Sequence, residues 1–295
     1  MPTTQLVDPA LLAKLSALRL AVRQVRWGAR MGGRFAINRR GSSVEFADYM
    51  AYVPGDDIRA IDWKLYARSE RLFIRTYREE VELSVEIVVD ATASMGLPTA
   101  GKFERARQIG LCLAYIALAS RHRVRMSWIT PGAIASSPWY ETRGGVAELE
   151  RFLVRREPAG SVTCHDWVQR AVSSLRMRGG QILLISDWMY RLAECFQALH
   201  LLRRRHLDVR LIQVLSPEEW RPARLAQGGV LVDSETGQTH ELAYSSAELE
   251  RAVVMHHEQL MRFCRQHNVA FALHRLDEPL DELMLRTLPA RGFLA

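Results

Sequence analysis

The fold is decided by ELSVEIVVDATASMGLPTAGKFERARQIGLCLAYIALASR, residues 82–121. Its first part, 82–90, is a β-rich apolar run that ends in the acidic side chain of Asp90. Residues 102–121 then carry apolar side chains at helical spacing and predict a long helix. A strand that leads through a short turn into a helix is the repeating unit of α/β proteins. The stretch therefore predicts one such unit within a larger sheet.

The same alternation of strands and helices continues along the rest of the chain. Further strands are predicted at 124–130, 181–187, 208–215 and 269–276, and helices at 144–155, 165–178, 189–206, 247–267 and 279–288. Continuous apolar runs, without strict alternation, are typical of parallel strands that are buried on both faces. We therefore predict an α/β fold with a doubly wound, mainly parallel, Rossmann-like sheet.

Two regions depart from this rhythm. A helix is predicted within residues 9–30, glycines break the pattern over 31–80, and 72–77 alternates like a strand. We expect residues 1–80 to form an N-terminal helix and loop-rich module packed on a main domain of residues 81–295. Within that domain, two extended stretches flank a Ser-Glu-Thr-Gly turn signal, which predicts an inserted β-hairpin at 228–244.

Composition narrows the class of protein. The chain has 295 residues, of which 48% are hydrophobic and 25% charged, as in ordinary globular proteins. It contains no run of about 18 apolar residues, and its start lacks the pattern of a signal peptide. The four cysteines are far apart and form no C-x-x-C pair. We therefore expect a cytoplasmic protein with free thiols and no membrane span.

The net charge of +7 raises the question of an acidic partner. Basic residues cluster at 38–40, 155–156 and 203–206. Such clusters bind nucleic acid or an acidic protein, or simply form solvated helix surfaces. No aromatic residue interleaves with the 203–206 run, and no nucleic-acid-binding motif accompanies it. A basic nucleic-acid adaptor therefore remains an alternative, while the solvated surface is favoured.

Two aspartates follow two predicted strands. Asp90 ends the strand of residues 82–90, and Asp187 ends the strand of residues 181–187. Ligands of open α/β sheets bind at the carboxyl ends of strands, and neighbouring ends bring their side chains together. Thr92 and Ser94 add hydroxyl oxygens at alternate positions. These oxygens favour one hard divalent cation, Mg²⁺ or alternatively Mn²⁺ or Ca²⁺, over two aspartates that merely cap helices.

A competing motif overlaps the first aspartate. GLPTAGK, residues 96–102, has the spacing of a nucleotide-binding P-loop. Such a loop needs Ser or Thr after the lysine, but Phe103 stands there, and Pro98 removes a backbone donor. Lys102 is expected simply to begin a helix. No general base, nucleophile and oxyanion hole occur together, so we expect a binding protein; a metal-dependent phosphohydrolase or nucleotide-binding enzyme is the alternative.

The arrangement of Asp90, Thr92, Ser94 and Asp187 resembles a von Willebrand factor A domain. That family carries a metal-ion-dependent adhesion site of form D-x-S-x-S, with a threonine and an aspartate from later loops. Asp90 and Ser94 match directly, Thr92 replaces a serine, and Asp187 matches the later aspartate. The resemblance implies that Thr163 supplies the threonine. It also implies a fold of the von Willebrand factor A type.

The segment SSVEFADYMAYVPGDDIRAIDWKLYAR, residues 42–68, resembles the signature of the bacterial "domain of unknown function fifty-eight" family. The resemblance continues through D-x-E-T-G at 233–237. Read from its residues alone, the segment contains a turn and then charged side chains that we expect to form an ion-pair lattice with Trp63 packed under it. A partner-docking surface is the alternative. The residues concerned are Asp56, Asp57, Arg59, Asp62, Trp63 and Arg68.

The resemblance implies a function and a partner. Members of this family are associated with MoxR-type AAA+ ATPases and assist the maturation or assembly of other complexes. We therefore expect a non-enzymatic interaction module in which a metal ion accepts an acidic side chain from a protein partner, either the ATPase or a client.

Overall fold

The computed structural model describes residues 5–21, 45–53, 58–78, 83–132, 134–174, 180–204, 207–221, 230–232, 239–241 and 246–295. The chain divides into two compact units, a larger one of residues 1–23 and 83–295 and a smaller one of residues 24–82. The larger unit contains the sheet that the sequence predicts, and it holds both aspartates of the predicted metal site.

A six-stranded sheet forms the centre of the larger unit, in the order β10-β7-β6-β3-β4-β5. Its strands are β3 (Ser84–Asp90), β4 (Arg123–Ile129), β5 (Ala135–Ser136), β6 (Gln181–Ser186), β7 (Asp208–Leu215) and β10 (Ala270–Arg275). Every neighbouring pair is parallel except β4 and the short edge strand β5. This confirms the predicted mainly parallel sheet.

Helices cover both faces of this sheet, so its strands are buried on both sides. The helices of the larger unit are α1 (Pro9–Leu15), α3 (Gly101–Ala119), α4 (Gly145–Val154), α5 (Cys164–Ser174), α6 (Leu192–Arg203), α7 (Pro217–Trp220), α8 (Ser246–Gln266), α9 (Leu280–Glu282) and α10 (Leu288–Ala290), with a π-helical turn at Leu283–Thr287. Alternate residues of β3 and β6 point to two different cores. Val89 and Ile185 lie in the core that contains α3, and Val88 and Leu184 lie in the core that contains α5 and α6. The fold is therefore doubly wound, as predicted.

The connections between strands lead to opposite sides of β3. The chain passes from β3 to β4 on one side, and it later places β6, β7 and β10 on the other side. Crevices at such points, outside the carboxyl ends of the strands, are where open α/β sheets bind ligands. Residue Val89 is paired with Ile185, so Asp90 and Asp187 leave adjacent strands at almost the same level.

The smaller unit contains a two-stranded antiparallel sheet and a short helix. Strand β1 (Glu45–Ala51) pairs with β2 (Phe73–Arg78), with a bulge between Phe46 and Asp48. Helix α2 (Trp63–Ser69) follows a single 3₁₀ turn at Ile58–Ala60. The strand predicted at 72–77 is thus observed one residue later along the chain.

The first helix is shorter than predicted and belongs to the larger unit. Helix α1 covers only seven residues of the predicted 9–30, and 22–44 lie outside the described residues. Leu15 is fully buried in the core beside α3, and Leu20 forms a β-bridge with Leu294. These contacts group residues 1–23 with the sheet, which differs from the predicted grouping of residues 1–80.

The predicted hairpin at 228–244 is present as two short strands. Strand β8 (Val230–Val232) pairs antiparallel with β9 (Thr239–Glu241). Its turn signal, together with the D-x-E-T-G residues at 233–237, lies outside the described residues.

Candidate functional site

Asp90 is completely buried at the end of β3, and both of its carboxylate oxygens accept hydrogen bonds. The backbone N–H and the hydroxyl of Thr92 donate to Oδ1 at 2.9 and 2.8 Å. The hydroxyls of Ser186 and Tyr190 donate to Oδ2 at 2.6 and 2.7 Å. Asp90 is therefore held by neutral donors, because no cationic side chain is among these four contacts.

Burial determines the protonation behaviour of this carboxyl group. Burial, and then the negative charge of Asp187, together raise the pKa of Asp90 to about 6, although the donors at Ser186, Thr92 and Tyr190 oppose the shift. The pKa of Tyr190 is also raised, first by burial and then by the charge of Asp90. The charged forms of Asp90 and Tyr190 are thus destabilised mainly by burial.

Three oxygen atoms lie together just beyond β3. Thr92 Oγ1 is 2.8 Å from Asp90 Oδ1 and 3.1 Å from Ser94 Oγ. Thr92 is fully buried, whereas Ser94 is partly exposed at the start of the short 3₁₀ turn Ala93–Gly96. The oxygens of Asp90, Thr92 and Ser94 thus form a continuous row from the core towards solvent, which we call the oxygen row.

Backbone hydrogen bonds tie this loop to the segment that contains Thr163. The N–H of Ala93 donates to the carbonyl of Gly160 at 2.8 Å, and the N–H of Ala159 donates to the carbonyl of Ala91 at 2.9 Å. Gly160 has a φ of +70°, and a Cβ there would lie 2.4 Å from Pro131 Cγ, so the contact requires glycine. Thr163 follows three residues later, is exposed, and accepts the N–H of Asp166 at 3.1 Å as the N-cap of α5.

Asp187, one residue beyond β6, is 3% exposed and is held by a cation. The ammonium of Lys102 lies 3.1 Å from Asp187 Oδ2 and 2.6 Å from Glu219 Oε1. The N–H of Met189 donates to Asp187 Oδ1 at 3.2 Å. Lys102 does lie at the start of a helix, as expected, but it is 0% exposed and ion-paired, which the sequence did not indicate.

Lys102 remains charged because two carboxylates face it. Burial lowers the pKa of an ammonium, but the charges of Asp187 and Glu219 outweigh burial, so the pKa of Lys102 is raised. Glu219 is in turn fixed by a capping box, in which its carboxylate accepts the N–H of Ser216 and its own N–H donates to Ser216 Oγ. The three ionic groups therefore come from three different elements of the chain.

A second layer of polar side chains supports the end of β6. The side-chain amide of Gln213, in β7, donates to the carbonyl of Asp187 at 2.8 Å. His257 Nδ1 lies 2.8 Å from Gln213 Oε1, and His256 Nε2 lies 2.8 Å from the carbonyl of Trp188. The adjacent histidines of α8 thus anchor this helix to the strand end and do not converge as metal ligands.

Several of these residues were not predicted as part of the site. They are Lys102, Ser186, Tyr190, Gln213 and Glu219. Two signals were available, because the hydroxyls of Ser186 and Tyr190 flank Asp187, and Ser216 with Glu219 has capping-box spacing. Nothing in the sequence indicated that Lys102 and Glu219 would meet, since 117 residues separate them.

The donor atoms of the oxygen row fit a hard divalent cation. Such ions take carboxylate and hydroxyl oxygens, with water completing the shell. Within the described residues, no three histidine, cysteine, aspartate or glutamate side chains converge as a metal site. A cation here would therefore depend on the hydroxyl oxygens of Thr92 and Ser94 beside Asp90.

The signature residues of the smaller unit are described only in part, so the structure tests the packing of Trp63 but not the predicted ion-pair lattice. Asp62 is buried and caps α2, accepting the N–H groups of Lys64 and Leu65, and the hydroxyl of Tyr49 donates to its other oxygen. Trp63 is 61% exposed, so the expectation that it packs under an ion-pair lattice is wrong. Arg59 and Arg68 are exposed, and Asp56 and Asp57 lie outside the described residues.

None of the helices in the described part of the chain combines the length and the apolar character needed to cross a membrane. The four cysteines are buried and carry free thiols.

Comparisons with known proteins place these features in context. A family model described as a protein of unknown function, DUF58, matches residues 48–259. Uncharacterised proteins of Mycobacterium tuberculosis and Mycobacterium bovis are 28% identical over 268 residues, which cover 88% of this chain and 82% of theirs. Conserved hypothetical protein BatB from Bacteroides thetaiotaomicron is similar in structure, with a TM-score of 0.44 and 14% identity over 71% of this chain and 98% of BatB. The SpRpn10 VWA domain has a TM-score of 0.43 and 11% identity over 71% of this chain and 96% of its own.

Proposed function

This chain belongs to the DUF58 family of proteins of unknown function, and on that premise we propose that it is a metal-dependent protein–protein interaction module. The family match confirms the resemblance carried by residues 42–68. The module would act without catalysis, in the cytoplasm, as an adaptor of a MoxR-type AAA+ ATPase in the maturation or assembly of protein complexes. The interaction would occur at the carboxyl ends of β3 and β6.

The observation that carries this proposal is the oxygen row. Its three oxygens are consecutive neighbours at 2.8 and 3.1 Å, and they run from a buried carboxylate to a partly exposed hydroxyl. Asp90, Thr92 and Ser94 would hold one Mg²⁺, or alternatively Mn²⁺ or Ca²⁺, with Thr163 and Asp187 as the further ligands that the resemblance implies. A bound divalent ion supplies an electrophilic site for a carboxylate oxygen.

The protein's own residues would determine how a partner reaches this site. Ser94 lies at the solvent end of the row, so a partner side chain approaches from that end. Two backbone hydrogen bonds join residues 91–93 to residues 159–160 at the edge of the site. Thr163 follows three residues after this second segment. Burial, and then the charge of Asp187, raises the pKa of Asp90, so a cation beside this carboxylate would stabilise its charged form.

The competing nucleotide-binding interpretation is disfavoured by the position of Lys102. In a P-loop the lysine must reach the phosphates of the nucleotide. Here its ammonium is fully buried and lies within 3.1 Å of two carboxylates, so it faces away from any ligand in solvent. The partner class follows from the family resemblance, and the chain's net charge of +7 is compatible with an acidic partner.

The proposal is tested by calorimetric titration of Mg²⁺ and Mn²⁺ into the wild type and Asp90→Asn. A pull-down of a MoxR-type ATPase is run in parallel, with metal and with a chelator. Asn keeps the size of the side chain but removes its charge. We expect metal affinity to fall by at least about 100-fold and partner capture to be lost, because the only charged group of the oxygen row is gone.

Asp281→Asn is the matched control, since it removes an exposed aspartate on α9 far along the chain from the site. It should bind metal and partner as the wild type does. Unchanged binding by Asp90→Asn would rule out the metal site. Mg²⁺-dependent turnover of ATP or phosphate esters that Asp90→Asn abolishes would instead make this protein an enzyme.

A further inference from the structure

The buried ammonium of Lys102 is held beside the proposed metal site by two carboxylates. One carboxylate would be enough to neutralise it, yet two lie within 3.1 Å, and all three groups are fixed by their elements. Lys102 is the second residue of α3, Glu219 is fixed by its capping box, and Asp187 is held by Met189 and Gln213. The ammonium is therefore a permanent cation built into the fold.

This cation pairs with Asp187, the carboxylate that follows β6 and that the resemblance assigns to the metal site. Asp187 Oδ2 faces Lys102, and Asp187 Oδ1 accepts the N–H of Met189. A metal ion at Asp187 would therefore share this carboxylate with the ammonium of Lys102, and the two cations would repel each other. The four contacts of Asp90 are neutral donors, so a metal ion there would displace a hydrogen bond but would face no cation among these contacts.

We propose that Lys102 is a specificity-determining residue that confines a divalent ion to the oxygen row and weakens its binding to the isolated protein. The inference rests on the proposed metal site. With Asp187 paired to Lys102, Asp187 contributes less to metal binding than the resemblance implies, Asp90 is the main anionic ligand of the protein, and a second strong anionic ligand must come from the partner. Metal and partner carboxylate would then bind cooperatively, each increasing the affinity of the other.

A purely structural role for Lys102 makes a different prediction. If the ammonium only balances the buried charges of Asp187 and Glu219, its removal lowers stability and leaves metal affinity unchanged. The two roles are separated by measuring metal affinity directly, with partner absent.

The experiment compares Mn²⁺ affinity, by calorimetry, among the wild type, Lys102→Met and the double variant Lys102→Met/Glu219→Gln. Lys102→Met frees Asp187, so affinity should rise about tenfold or more, the size of effect that one adjacent charge has on a carboxylate. The double variant removes one positive and one negative charge, so its net charge equals that of the wild type. It should also bind Mn²⁺ more tightly, because Asp187 is free in it.

Lys14→Met is the matched control, since it removes an exposed lysine from α1 and should leave the affinity unchanged. Tighter binding by Lys102→Met but not by the double variant would show an effect of net charge alone and overturn the inference. If Lys102→Met does not fold, the double variant, which buries less unpaired charge, decides the question. Equal affinity in all four proteins overturns this inference and leaves the metal site standing. No binding in any of them overturns both.

Discussion

Asp90 and Asp187 occupy similar positions at the ends of neighbouring parallel strands, yet only Asp187 is in contact with a cation. Asp90 is surrounded by hydroxyl and backbone donors from residues near it in the chain or on the adjacent strand. Asp187 faces the ammonium of Lys102, which comes from the helix that follows β3. One strand end is therefore held by neutral donors, while the other contains a buried cation. Two identical residues in a repeated structural context need not share a role.

The largest expected effect comes from removing the internal cation. Lys102→Met should lower the free energy of unfolding by about 3–5 kcal/mol in the presence of a chelator, because it leaves Asp187 and Glu219 buried without their cation. Urea unfolding followed by tryptophan fluorescence measures this. Lys14→Met should change the value by less than about 0.5 kcal/mol, as exposed substitutions do. A similar small loss for both variants would break the comparison between the two strand ends.

A smaller effect is expected when Asp90 loses one neutral donor. Tyr190→Phe should lower the free energy of unfolding by about 1.5–3 kcal/mol, because its hydroxyl donates to a buried carboxylate at 2.7 Å. Tyr115→Phe makes the same change far along α3 and serves as the control for loss of a hydroxyl. If both variants lost the same free energy of unfolding, the hydrogen bond to Asp90 would contribute no more to stability than the hydroxyl of Tyr115 does. The measurement is again urea unfolding with a chelator present.

A third polar group near a strand end extends the comparison to pH. His274, in β10, is fully buried and lies 2.7 Å from Arg105 Nη1, with Glu278 Oε2 at 3.9 Å from its other nitrogen. Burial, and then the charge of Arg105, lowers the pKa of His274 to about 3. Here a neighbouring cation keeps a buried side chain neutral, whereas Lys102 keeps Asp187 paired.

The sign of the pH effect follows from this lowered pKa. Above about pH 6.5 both folded and unfolded forms are neutral, and below it the unfolded form takes up a proton that the folded form does not. Between pH ~7.5 and pH ~5, His274 should therefore lower the free energy of unfolding of the wild type by about 2 kcal/mol. Over the same pH interval, the free energy of unfolding of His274→Gln should fall by about 2 kcal/mol less than that of the wild type. Urea unfolding at each pH measures both values. An identical loss in both proteins would contradict the assignment.

The smallest expected effect concerns Thr163, whose hydroxyl caps α5. Thr163→Ala should cost about 1 kcal/mol without metal, because the N–H of Asp166 loses its acceptor. Amide exchange at the first turn of α5 should become faster, while Thr163→Ser should preserve both values. Unaltered exchange in Thr163→Ala would show that the cap is not formed.

Most of the sheet could be predicted from the sequence, since each buried strand is a continuous apolar run and each helix has its own periodicity. The strand 208–215 was predicted with its observed bounds. The first helix was predicted too long, because periodicity continued beyond the seven residues that form α1. Of the candidate site, Asp90, Thr92 and Ser94 were found because they are close in sequence and share one strand end. The exposure of Trp63 was not predicted, because the packing of α2 depends on contacts that the local sequence pattern does not contain.

By itself, the sequence determined the strand and helix alternation, the two acidic strand ends and the hydroxyl spacing of DATAS, because each depends on residues within one turn or strand. Only the tertiary structure decided what each aspartate faces. Coulombic contacts depend on distance in space, and the fold brings the ammonium of Lys102 within 3.1 Å of both Asp187 and Glu219, although Glu219 is 117 residues away along the chain. The lysine of a rejected nucleotide motif thus became the internal cation of the site, through strand order and helix packing that no local pattern encodes.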